Sequence, residues 1–283
     1  MIIITGATGN VGRHLTEIVA ASGHQVAAVS RGTSAPPPDH PGITSFVADL
    51  TDPDSLEPVL QRADALFLVV PGDGSAIDGP KLLDRVARAG VRRVVLLSSQ
   101  AAGIRRSHDA MLALEDDVRR SGLEHTILRP AGFASNTLGW APSIIDRSTV
   151  FAPFAEVALP VIDPLDIAEV AAITLTQDGH DGATYLLTGP EAITPRQQAA
   201  AIGRTLDRPI DFVELTREQA LDQLLRMMPA PVAEGTLAIL GGPTPLEQQV
   251  SEAVPKITGR QHSYQDWARR HTAAFGGSTP PNS

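Results

Sequence analysis

The chain has 283 residues, 42% of them hydrophobic, and its 23 Lys+Arg against 32 Asp+Glu leave a formal charge of −9 at pH 7. That acidic balance argues against a chain that coats nucleic acid through a basic face. The absence of cysteine excludes disulfides, thiolate nucleophiles, iron–sulfur clusters and Cys-ligated zinc. The first six residues, Met1 to Gly6, form neither a basic n-region nor a small-residue cleavage site. No apolar run approaches the ~20 residues of a membrane span. The expectation is a soluble, cytoplasmic protein of one large α/β domain with an appendage, or of two domains.

Short runs rich in Val, Ile and Leu predict strands at 2–5, 26–30, 44–48, 65–70, 93–98 and 125–129, apolar on both faces as in a parallel sheet covered on both sides. Helical patterns lie between them. Val11, Leu15, Ile18 and Val19 share one face; Leu56, Val59 and Leu60 follow Asp52-Pro53, where Asp caps and Pro suits the first helical position. The alternation predicts a Rossmann-type, doubly wound parallel sheet over residues 1–130. An exposed excursion is expected at 32–42, around Pro36-Pro37-Pro38. From 131 to 275 a mixed region is expected to return to the sheet and form a small α+β lobe. In it, 130–164 reads as irregular, Asp166 with Glu169 as a capping box, and 184–188 as a strand. Thr194 with Gln197 opens a helix, 210–215 is a strand, and Thr216 with Gln219 opens another helix. The Pro- and Gly-bearing stretch 229–247 is expected to be loop-rich, and 276–283 a disordered tail.

The strongest signal is at the start. The strand ends in the turn Gly6-Ala7-Thr8-Gly9-Asn10-Val11-Gly12, and an amphipathic helix follows. Gly6 permits the tight turn, Gly9 lets backbone approach a pyrophosphate, and Gly12 lets the helix pack on the strand. The strand, the triplet and the helix agree on a dinucleotide. NAD preference asks for an acid at the end of the second strand; here the strand ends in Ser30-Arg31. Arg31 can meet a 2′-phosphate with a charge-assisted contact, which predicts NADP(H). Asp49-Leu50 and Val70-Pro71-Gly72 end the next strands on the adenosine side. The bland alternatives are a solvated Arg31 and an Asp49 that caps a turn.

With Leu97-Ser98-Ser99 and Thr126-Ile127-Leu128-Arg129-Pro130, the chain resembles an atypical short-chain dehydrogenase/reductase of the NmrA-like kind, close to the NADPH-dependent quinone oxidoreductases. The similarity runs from residue 2 to about 270 and includes Asp166-Ile167-Ala168 and the run Tyr185 to Pro190. It implies NADP(H) in a cleft between the Rossmann domain and a C-terminal substrate lobe, with Ala131, Gly132 and Phe133 passing near the nicotinamide. The usual Tyr-x-x-x-Lys pair is missing: its positions fall on Ser107 and Met111. His108 is three residues from Met111, and Tyr185 and Tyr264 do not fit the acid's place.

Three readings of that absence stay open. One is an NADPH-dependent reductase of quinones or similar flat carbonyl acceptors, with Ser99, His108 or an ordered water assisting. Another is a regulator that senses NADP(H) without turnover. The third is a biosynthetic enzyme of non-redox chemistry on the same scaffold. Ser98 and Ser99 end a strand beside the expected cofactor, where a serine is as often a backbone cap as a catalyst. Met111 reads as a packing residue or as an apolar wall, and His108 as a loop histidine or an acid. Phe133, Asn136, Trp140, Phe151 and Phe154 form either a small core or the wall of a pocket for an aromatic or quinone-like small molecule. Arg105-Arg106 is a solvated pair or a holder for an anionic substrate. No metal is expected, since His14, His24 and His40 lack ligand spacing, and hydrolase and phosphotransferase motifs are absent. A monomer or a homodimer is expected.

Overall fold

The computed structural model describes residues 1–32 and 40–277. The expected triple-proline excursion and the tail beyond Gly277 lie outside the described residues. In chain order the elements are β1 (Ile2–Thr5), α1 (Gly12–Ala21), β2 (Val26–Ser30), β3 (Ile43–Val47), α2 (Glu57–Leu60), β4 (Ala65–Leu68), α3 (Gly79–Arg88), β5 (Arg93–Leu97), α4 (Asp109–Arg120) and β6 (Glu124–Pro130). Then come α5 (Ala141–Arg147), β7 (Thr149–Pro153), α6 (Pro164–Thr176), β8 (Ala183–Leu187) and α7 (Pro195–Thr205). β9 (Asp211–Leu215), α8 (Arg217–Leu224), α9 (Ala230–Gly241), α10 (Ala253–Thr258) and α11 (Tyr264–Arg270) complete the series.

The chain divides into two compact units, each built from three segments. The first comprises Met1–Pro130, Pro164–Leu187 and Ala253–Gly259. The second comprises Ala131–Asp163, Thr188–Glu252 and the chain from Arg260. In the first unit seven strands form a wholly parallel sheet in the order β3-β2-β1-β4-β5-β6-β8. Ile3, Leu66 and Val94 point into a core shared with α2, α3 and α4. Their neighbours Ile4, Phe67 and Val95 are as fully buried, and α1 and α6 pack on the sheet and on each other. Ten of the thirteen residues of α6 are buried, so its sequence carries no polar stripe to mark a solvent face.

The order reverses at β1: β2 and β3 lie on one side of it, β4 on the other. Thr5 fastens that point. Its hydroxyl lies 3.1 Å from the Phe67 carbonyl and 3.0 Å from that of Val69, and accepts the Val69 N–H at 2.7 Å. In open parallel sheets, ligands bind outside the strands' carboxyl ends at such a reversal.

In the second unit β7 and β9 pair in parallel, Phe151 opposite Val213. Their core holds Trp267, Phe275 and Ile202, with the Trp267 ring stacked 4.6 Å from His271. Tyr264 is buried there with its hydroxyl 2.7 Å from Thr137 Oγ1, and burial pushes its phenol far above the usual range.

Four expectations are corrected. β3 is not apolar on both faces: it is an edge strand with Thr44, Ser45 and Val47 exposed. The segment 130–164 is not irregular: it holds a 3-10 turn over Ala134–Trp140, then α5 and β7, and Pro142 sits in the first helical turn, where its missing N–H costs nothing. Asp166 does not cap α6, because the helix already starts at Pro164. The stretch 229–247 contains the twelve-residue helix α9, entered through Pro229 and Pro231 at positions that tolerate proline. The caps expected at Thr194 and Thr216 are present, each as a reciprocal box with its glutamine.

Candidate functional site

The turn after β1 is as tight as its glycines allow. Gly6 has φ +61°, and a Cβ on Gly12 would collide with the Gly6 carbonyl oxygen. A Cβ on Gly9 would stand 3.2 Å from that same oxygen. α1 starts without a side-chain cap, since Val11 stands at the cap position and has no acceptor to offer. In that first turn the Arg13 N–H goes to the Gly9 carbonyl at 3.2 Å, and among the described residues the Gly12 N–H is left for an external anion.

Beside this turn is a cavity of about 260 Å³, lined by Thr5, Gly6, Thr8 and Gly9 and by residues 29–31, 48–50 and 69–71. It is a nucleoside-sized space at the carboxyl ends of β1 to β4, where the reversal of strand order predicts one. Nine of the expected cofactor residues meet here: Gly6, Thr8, Gly9, Ser30, Arg31, Asp49, Leu50, Val70 and Pro71. Thr5, Val29, Ala48 and Val69 line it too, and their signal is simply the strand-end position next to an expected residue. Ala7 and Val11 are buried, Asn10 is exposed, and Gly72 has φ +63° in the loop beyond. Arg31 is exposed at the rim. Asp49 does cap a turn, accepting the Thr51 N–H at 2.9 Å and its hydroxyl at 2.8 Å. Those bonds, helped by the nearby Arg31 charge, hold the Asp49 carboxyl below its usual value.

At the end of β5 the two serines differ. Ser98 is buried and gives its proton to Glu115 at 2.6 Å. Ser99 Oγ accepts the Ala101 N–H at 3.2 Å, and among the described residues its own proton has no acceptor. Glu115 was not singled out from the sequence. The readable signal was a carboxylate in the stripe of Met111, Leu114 and Val118 that α4 lays on the sheet. Met111 lies in the core of the first unit. His108 is half-buried at the end of the 3-10 turn before α4, its Nδ1 3.1 Å from Ser107 Oγ. Its charge contributes to holding Asp73 low, after the bonds from Ser75.

Ala131, Gly132, Phe133, Asn136, Trp140 and Phe151 belong to the second unit. Phe133 bridges to Ile162, and Trp140 packs half-buried on the Trp267 core. Asn136 is exposed, and Phe151 is half-buried on β7.

Residues 6–178 match the NAD(P)H-binding family, which is more than half of the chain. The chain belongs to that family. A (4-alkanoyl-5-oxo-2,5-dihydrofuran-3-yl)methyl phosphate reductase from Streptomyces griseus is 36% identical over 281 residues, spanning 97% of this chain and 99% of its own. An NAD(P)H azoreductase from Xenophilus azovorans is 29% identical, spanning 98% and 99%. The fold is shared with an Escherichia coli NADPH-dependent quinone oxidoreductase solved with NADPH, at TM-score 0.78 and 22% identity, over 96% of this chain and 99% of that one. The expected kinship with NmrA-like reductases is thereby borne out, and the chain is an NAD(P)H-dependent oxidoreductase. Among the described residues no helix is long and apolar enough to cross a membrane.

Proposed function

We propose that the protein is an NADPH-dependent reductase of flat, conjugated acceptors, of which quinones are the first class to try. The reading is carried by the strand end after β5, where the one hydroxyl with a proton to give is Ser99, a weak acid. Weak acid assistance suits an acceptor that spreads the incoming negative charge over its own ring, and not an isolated ketone. The named relatives support this, since an oxo-dihydrofuran and an azo dye share such conjugation. NADPH, when bound, supplies the hydride. The turn from Gly6 to Gly12 would take the pyrophosphate on its N–H groups. Arg31 would face the 2′-phosphate, with no acid at the end of β2 to favour a free ribose. Ser99 would give its proton to the acceptor's heteroatom, with His108 as a second source.

The test follows absorbance at 340 nm with the purified chain, NADPH and a panel of quinones, azo dyes and conjugated lactones, with NADH alongside. Turnover that favours NADPH and conjugated acceptors is the expected result. NADPH binding without turnover of any acceptor would instead favour a sensor.

A further inference from the structure

We propose that Glu115 is a positioning residue: it fixes the ends of β5 and β6 so that Ser99 keeps the orientation from which it donates a proton. The inference rests on Ser99 being the donor. Glu115 is wholly buried, and a carboxylate is costly there unless its lone pairs are used. All are used. Oε1 accepts from Ser98 Oγ at 2.6 Å and from Arg129 Nε at 2.8 Å. Oε2 accepts from Arg129 Nη2 at 2.6 Å and from Arg119 Nη2 at 2.9 Å. One side chain of α4 therefore ties the residue before Ser99 to the residue before Pro130.

The backbone repeats the tie, with Ser98 N–H on the Leu128 carbonyl at 2.8 Å and Gln100 N–H on that of Pro130 at 2.9 Å. A merely stabilising side chain at this place would be apolar, like Met111 and Val118 on the same stripe, since buried ion pairs seldom outperform packed hydrocarbon. What the carboxylate adds is direction. By claiming the Ser98 proton it sets that hydroxyl's rotamer, and the backbone of the next residue with it.

The test uses the full chain with Glu115→Gln, Ser98→Ala and Ser99→Ala, singly and combined. Glu115→Gln is expected to lower kcat about tenfold or more with NADPH affinity little changed. Combined with Ser99→Ala, it should cost nothing beyond Ser99→Ala alone. Amide hydrogen exchange, which needs no turnover, should quicken about tenfold at Ser98 and Gln100 while β1 and β2 stay protected. Losses that multiply in the double variant, or exchange that quickens across the whole sheet, would reduce Glu115 to a stabilising role and overturn the proposal. Should Glu115→Gln fail to fold, Ser98→Ala keeps both ion pairs and cuts only the bond to the strand end. The same two signatures are expected of it, and wild-type values for both would overturn the proposal. A wild-type chain without turnover would sink the reductase reading, and the exchange data would still decide whether Glu115 holds the strand ends.

Discussion

The place of Arg31 on the cavity lining was legible, and its proposed role rests on what β2 lacks. A strand end without an acid, followed by a guanidinium, is a local pattern, and it needs no tertiary knowledge to interpret. Replacing Arg31 by Ala is expected to weaken NADPH binding about ten- to hundredfold and leave NADH nearly unaffected. Titration of tryptophan fluorescence with each cofactor measures both, and equal losses would refute the assignment. Glu115 was illegible for the opposite reason. Its partners Ser98 and Arg129 are distant in sequence and meet it only because β5 and β6 are neighbours in the sheet. Burial pushes its carboxyl up, yet the bonds from Arg129 and Ser98 outweigh burial and hold it below the ordinary 4.5. A depressed folded value means that the ionised pair stabilises the fold fully above about pH 4.5 and less as pH falls below it. Thermal melts from pH 7 to pH 3 should therefore show a drop in Tm that Glu115→Gln flattens. An unchanged slope would show that other carboxylates dominate acid unfolding.

Elements were read best where termini carry their own chemistry. The boxes at Thr194 and Thr216 are such cases: a hydroxyl, then a glutamine three residues on, satisfies two N–H groups whatever the tertiary context. Replacing Thr194 by Ala should cost about 1 kcal/mol in urea unfolding and leave NADPH affinity intact, because α7 lies in the second unit. A change in cofactor affinity would contradict that separation. Proline misled where its position was ignored. Pro229 and Pro231 start α9 and do not break it. The box of Ser263 with Asp266 at α11 escaped notice, since the third residue is an aspartate and not the usual glutamate or glutamine.

At the scale of the molecule, the sheet was legible from alternation of strand and helix, and its strand order follows from right-handed crossovers only up to β6. The seventh strand, β8, arrives after an excursion through the second unit; its run at 184–188 and the return to the sheet were legible, but not the neighbour it would pair with. Residues 1–130 lack β8, α6 and α10, and α6 alone contributes ten buried residues to the first unit. A fragment of 1–130 is therefore expected to show neither a cooperative melt nor dispersed NMR amide signals. A fragment that folded on its own would show that β1 to β6 need no cover from α6.

The interleaving of segments also sets a schedule for synthesis. The last piece of the first unit, Ala253–Gly259, is translated 129 residues after Pro130. At about 5–20 residues per second this is on the order of ten seconds. For the first part of that interval, until α6 and then β8 are complete at Leu187, 57 residues after Pro130, the nascent sheet has an open edge where β8 will pair and an uncovered face where α6 will lie. Both are sticky surfaces of the kind that holdase chaperones shield. The demand on the ribosome's surroundings is thus set by where the chain crosses between its units, and not by the chemistry that the finished turn after β1 supports.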